Sequence, residues 1–170
     1  TLPEHPAEVY RVPANVLGKS ADQFSSTILI DRGSSDGLRV GLAVIAEKGF
    51  FLGKLSEVDA RSSKIALATT GGQKVSAIVQ SVSEVRGIVA GQLGLSLRLE
   101  LVLQSELLRV GDLVITSGDE PDIPKHLIIG TIEDIDNPPG ELWQTAQVRS
   151  MIHADDLSIV SVLLPTIPEP

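Results

Sequence analysis

Two stretches of the chain alternate between apolar and polar residues. In Ser26-Thr27-Ile28-Leu29-Ile30 and in Leu95-Ser96-Leu97-Arg98-Leu99-Glu100-Leu101, apolar residues recur at every second position. That period puts one face of a β-strand in a core and the other in water. Helical periodicity is almost absent. The chain instead offers short runs rich in β-branched residues, each ended by Gly, Asp, Asn, Ser or Pro, the residues that make turns. Strands are predicted at 8–17, 25–31, 42–46, 50–58, 63–69, 75–81, 85–90, 95–102, 112–117, 127–134, 142–149 and 157–164, with one helical turn at 104–109. So many short strands at this spacing predict an all-β sandwich or barrel with little helix.

A repeat divides the pattern. Leu38-Arg39-Val40-Gly41-Leu42-Ala43-Val44-Ile45 matches Leu108-Arg109-Val110-Gly111-Asp112-Leu113-Val114-Ile115, and residues 51–58 echo 128–135. An alternating strand precedes each copy. Two related small barrels of about six strands each are the simplest account. The expected division is an N-terminal segment with a leading strand over 1–24, a first barrel over 25–91, a second over 92–165 and a tail over 166–170. The leading strand is left over, and the sequence leaves open which barrel it closes.

The glycines have mechanical readings. Gly41 and Gly111 follow a turn and precede a strand, where positive φ or close backbone approach is expected. Gly53 and Gly130 lie inside strands, where glycine marks a bulge or a bend at a barrel corner. Gly33, Asp36 and Gly37 belong to a turn expected to be closed by the carboxylates of Asp31 and Asp36. Gly87, Asp112 and Gly118 are read as structural in the same way.

Composition narrows the functional classes. Hydrophobic residues make up 42% of the chain but aromatics only 3%, so aliphatic side chains must fill the interior. The net charge of −8, with no cluster of Lys or Arg, argues against binding to nucleic acid or anionic lipid. With no cysteine there is no disulfide, thiolate metal site or cysteine nucleophile. No apolar run is long enough for a membrane helix. The first residue is Thr1 rather than Met, so the chain is read as a piece of a longer protein.

Four segments then fall in the order of one family's motifs. Residues 30–41, Ile-Asp-Arg-Gly-Ser-Ser-Asp-Gly-Leu-Arg-Val-Gly, resemble the D-K-G-S-x-D-G-V-x-x-G-M turn of MreC proteins. Val85-Arg86-Gly87-Ile88-Val89-Ala90-Gly91 resembles the family's V-R-G-I-L-x-G strand, and residues 110–118 resemble V-G-D-x-V-V-T-S-G. Pro124-Lys125, followed by Ile129-Gly130-Thr131-Ile132, resembles F-P-K-G-L-P-V-G-x-V. His126, Ile128 and the stretch 119–123 depart from that pattern, so the loop around 118–128 is expected to differ in shape.

The resemblance to the rod shape-determining MreC family implies barrels related in fold to chymotrypsin-like proteases, without catalytic machinery. It implies a cytoplasmic tail, a membrane helix and a coiled coil ahead of this region, and a place in the periplasm or on the outer side of the membrane. The implied work is that of a non-catalytic scaffold for peptidoglycan synthesis and cell shape. The implied partners are further MreC copies, a class B penicillin-binding transpeptidase, MreD, RodA and the MreB system. Neither cofactor nor metal is implied.

Other classes have weaker support in the residues. A hydrolase of chymotrypsin type needs His, Asp and Ser in that chain order. Only His5 precedes the candidate Ser117-Gly118-Asp119, while His126 and His153 follow it. The three histidines have no metal-ligand spacing, and His153-Ala154-Asp155-Asp156 reads as a polar loop. A peptidoglycan-binding module usually stacks sugars on aromatic rings, and Trp143 and Tyr10 are the only Trp and Tyr. The candidate partner contacts are Phe50, Phe51, Leu52 and Trp143. Alternation places Phe51 on the face opposite Phe50 and Leu52, so these side chains either plug a barrel end or present an apolar group for docking.

Overall fold

The structure is a computed structural model that describes residues 9–22 and 25–165. His5 and the tail 166–170 lie outside the described residues. Twelve antiparallel strands form two closed six-stranded barrels. Apart from three short 3-10 turns the described residues contain no helix, and residues 104–109 form a hydrogen-bonded turn without helix. No helix among them is long and apolar enough to cross a membrane.

The first barrel is built from β1 (Val9–Ala21), β2 (Ser26–Ile30), β3 (Ala43–Ile45), β4 (Phe51–Val58) and β5 (Ser63–Leu67), and is closed by the strand furthest along the chain. The second barrel is continuous. It comprises β6 (Lys74–Gln80), β7 (Glu84–Gln92), β8 (Ser96–Leu103), β9 (Leu113–Thr116), β10 (Ile128–Asp136) and β11 (Trp143–Ser150). After it, β12 (Ile159–Pro165) returns to pair with β1 along Val9–Asn15 and with β3 at Val44 and Ile45. The second barrel is therefore inserted between β5 and β12 of the first.

This corrects the expected division at residue 91. β6 and β7 belong to the second barrel, and the leftover leading strand closes the first. The physical reason lies in the β7–β8 connection. Leu93 (φ +55) and Gly94 (φ +75) are the central residues of a tight turn in the three-residue connection 93–95, with the Leu95 N–H on the Gln92 carbonyl at 2.9 Å. So tight a hairpin makes its two strands neighbours in one sheet and leaves no room for a boundary.

In ring order, β1-β12-β3-β4-β5-β2 corresponds to β7-β6-β9-β10-β11-β8. Bulges fall at matching places. Leu52 and Ile129 are the extra residues one position before Gly53 and Gly130, and Ser56 and Glu133 are extra opposite β5 and β11. A Cβ on Gly53 would overlap the Ala66 carbonyl oxygen, and one on Gly130 the Arg149 carbonyl oxygen. Both glycines therefore sit where one strand crosses its neighbour too closely for a side chain, as the barrel corners require. Gly41 (φ +97) and Gly111 (φ +94) take the left-handed backbone that the Val-Gly turns demand.

Two cores result. One fills the first barrel around Ile28, Ile30, Leu42, Leu55, Ile65 and Val162. The other fills the second barrel and runs on into Ala43, Ile45 and Phe51 of the first. The barrels thus share apolar packing where they meet.

Candidate interaction surfaces

The sequence singled out Phe50, Phe51 and Leu52 at the entry of β4. Lys48 (φ +64) and Gly49 (φ +83) make the turn before it, with the Ala46 N–H on the Phe50 carbonyl at 2.9 Å. Strand alternation sends Leu52 into the first barrel's core and Phe51 to the other face, as expected. That other face, however, is covered by the second barrel. Phe51 is 4% exposed and Leu52 5%, so both serve chiefly as packing. Phe50 is half-buried on the seam, where its backbone bridges to Ile128. Of the four candidates Trp143, 43% exposed at the start of β11, is the most exposed.

The seam between the barrels is tied by charge. Glu120 accepts the Ser76 N–H at 2.7 Å through one carboxylate oxygen and pairs with Lys54 at 3.3 Å through the other. Lys54 Nζ also donates to the Lys74 carbonyl at 2.7 Å, and Arg39 meets Asp122 at 2.6 Å. The loop around 118–128, which departs from the family motif, thus clasps the first barrel. Between the barrels lies an open groove of about 330 Å³. Phe51, Leu52 and Leu97 line it, together with Arg149, Glu133 and His153. Arg149 and Glu133 approach to 3.7 Å.

Ser117 is 5% exposed. Its hydroxyl donates to Ser76 Oγ at 2.9 Å and accepts the Asp119 N–H at 3.2 Å. His126 and His153 stand exposed on separate loops. Among the described residues no three His, Asp or Glu side chains are placed to hold a metal.

The turn residues fall into matching roles. Asp36 accepts the Gly33 N–H at 3.0 Å, and Asp112 accepts the Arg109 N–H at 2.9 Å, each reaching back three residues. Gly37 and Gly118 both adopt positive φ, and Gly87 is buried inside β7 against Leu99 and Val102. Asp31 does not close its own turn. It takes both the backbone and the side-chain N–H of Asn15, at 2.7 and 2.9 Å, and so fastens the turn to β1. Those two donors hold its carboxyl below the usual carboxylate range.

Four exposed leucines that the sequence pattern does not single out lie on the same strands and turns as Trp143. Leu101, Leu103, Leu107 and Leu142 are 51%, 44%, 56% and 63% exposed. Trp143 and Leu103 are direct partners across β11 and β8. Strict alternation from Leu95 would have buried Leu101. Instead β8 carries one residue more than β11 between the Leu99↔Ala146 and Val102↔Gln144 pairs, and Leu101 adopts φ +56. Val102 turns inward in its place. The run Leu101-Val102-Leu103 was the available signal, since three apolar neighbours cannot all face one core. Gln144, 1% exposed, braces the group from inside by donating to the Leu103 and Glu106 carbonyls at 2.9 and 2.6 Å.

Comparison with known proteins agrees with this architecture. A family model described as "Rod shape-determining protein MreC, barrel core" matches residues 16–164. The cell shape-determining protein MreC of Listeria monocytogenes is 32% identical over 154 residues, covering 88% of this chain and 52% of that protein. The chain thus spans about half the length of that relative. The solved structure of MreC from the same organism superposes with a TM-score of 0.85 at 29% identity, covering 94% of this chain and 78% of the other. A chain from the complex between Penicillin-Binding Protein (PBP2) and MreC from Helicobacter pylori has the same fold, with a TM-score of 0.74 at 13% identity over 92% of this chain and 98% of that one. With the matching region spanning both barrels, the chain belongs to the rod shape-determining protein MreC family, whose barrel core it carries.

Proposed function

We propose that the chain is a non-catalytic scaffold of the cell-elongation machinery, organising peptidoglycan synthesis through protein–protein contacts and self-association on the outer side of the inner membrane. The observation that carries this reading is the pair of closed barrels with side-chain-filled interiors, which leaves outer surfaces as the working parts. Family membership supports the same reading. The Helicobacter pylori complex supports a penicillin-binding transpeptidase as one partner. Further copies of the chain, MreD, RodA and the MreB system complete the expected set.

The test is co-purification of the intact protein with the cell-wall transpeptidase of its own organism, combined with exchange of the barrel region for an unrelated barrel. Association, and loss of rod shape on exchange, are expected. No association together with normal rods would overturn the proposal. Covalent labelling of Ser117 by a serine-directed probe would replace it with a hydrolase.

A further inference from the structure

The two ends of the second barrel differ in their surroundings. One end meets the first barrel, through the Gly94 N–H on the Thr69 carbonyl, the Phe50–Ile128 bridge and the shared core. The opposite end is formed by the turns 81–83, 104–112 and 137–142, with Trp143 and the four exposed leucines gathered there. Trp143 and Leu103 are paired across β11 and β8, Leu142 precedes Trp143, and Leu101 and Leu107 flank Leu103 in the chain, all of them exposed. Folded chains rarely leave so many large apolar side chains exposed at one end unless something covers them.

This surface is held in shape before any partner arrives. Besides the two Gln144 bonds, the Gln104 N–H donates to the Leu142 carbonyl at 2.9 Å, and Asn137 reaches the Gln104 carbonyl at 3.4 Å. The bulge in β8 turns the Leu101 side chain outward and holds the residue in a left-handed conformation that leucine resists.

Charge indicates what fits against it. Glu84, Glu106, Asp134, Asp136 and Glu141 lie in or beside these turns. Arg109 is the one basic residue within the turns, and Arg86, the nearest along β7, is already paired with Asp119. A second copy of the same end would bring acid against acid. An anionic lipid surface would be repelled likewise.

We infer that this end of the second barrel docks a protein surface on which apolar side chains are flanked by Lys and Arg. The inference deepens the scaffold reading and rests on it. A tryptophan or leucine at the centre of such a contact is the kind of residue that dominates binding, while the acidic residues steer the approach.

The experiment uses the 170-residue chain and the extracytoplasmic region of its own organism's class B transpeptidase as the probe. Trp143 is the sole tryptophan, so 5-fluorotryptophan labelling gives one fluorine signal that reports on the surface directly. On binding, that signal should shift. Leu103→Ser and Trp143→Ser should each weaken binding about ten-fold or more. Leu101→Gly removes the strained side chain, so it should weaken binding while the melting temperature holds or rises. The pair Asp136→Lys and Glu141→Lys should weaken binding about five-fold, and the wild-type affinity should fall as salt is raised.

Binding that leaves the fluorine signal and the substituted variants unaffected would overturn the assignment alone. Tighter binding on charge reversal would overturn it too, as would a fluorine shift on concentrating the chain by itself. No binding by the unaltered chain would overturn the scaffold reading with this partner and the assignment with it.

Discussion

A Cβ at Gly130 would have to share space with the Arg149 carbonyl oxygen, whereas one at Gly111 would meet nothing within 4 Å. The two glycines therefore predict different penalties. Gly111→Ala carries only the cost of a left-handed backbone and should lower stability by about 1 kcal/mol. Gly130→Ala must push two strands apart at a barrel corner and should cost about 3 kcal/mol. Urea unfolding of the pair measures both, and equal losses would count against the corner reading. Asp31 gives a prediction of another kind. Its carboxyl lies below the ordinary value of 3.8 because Asn15 donates two hydrogen bonds to the ionised form. A carboxyl whose folded pKa is depressed contributes stability that is present above its unfolded value and lost as pH falls through the folded one. The wild type should thus lose more stability below about pH 4 than Asp31→Asn, as read from denaturation midpoints across pH.

Elements were legible wherever period and punctuation agreed. Each predicted strand has its counterpart because apolar alternation and turn residues coincide along the chain. What alternation does not carry is the insertion of a single residue. The bulge in β8 reverses the faces of everything beyond Glu100, so Leu101 emerges where the pattern would bury it. Phe51 shows the complementary difficulty. Its face was read correctly, but the sequence does not say that another barrel lies against that face. The β7–β8 turn is hidden in the sequence for a third reason: a leucine occupies a position that usually takes asparagine. Leu93 and Gly94 both have positive φ, the geometry that favours Asn-Gly. Leu93 is 56% exposed, so replacing it sacrifices little burial. Leu93→Asn is expected to raise stability by about 1 kcal/mol, seen as a higher melting temperature.

At the scale of the molecule, nesting makes the two barrels unequal in their dependence on the chain. The strands of the second barrel run without interruption from Lys74 to Ser150, so its closure needs nothing that follows. The first barrel waits for β12, which supplies the partner of β1 along its first seven residues and the outer neighbour of β3. The repeat in the sequence concealed this, because its two copies match in order while the closing strand of the first barrel lies beyond the second. Removing residues 159–170 takes Val160, Val162 and Leu163 out of the cores. Buried aliphatic side chains contribute about 2 kcal/mol each, so the loss, together with the broken ladder, rivals the whole stability of a small domain at about 5–15 kcal/mol. The second barrel gives up only its contact with Leu163 and its shared end around Phe51, and keeps its own six-stranded ladder. A chain ending at residue 158 should therefore keep dispersed amide signals for residues 74–150 while those of 9–67 collapse toward random-coil values. Collapse of both barrels would mean that the shared core around Phe51, Ala43 and Ile45 binds them into one cooperative unit. Survival of both would mean that β12 does not close the first.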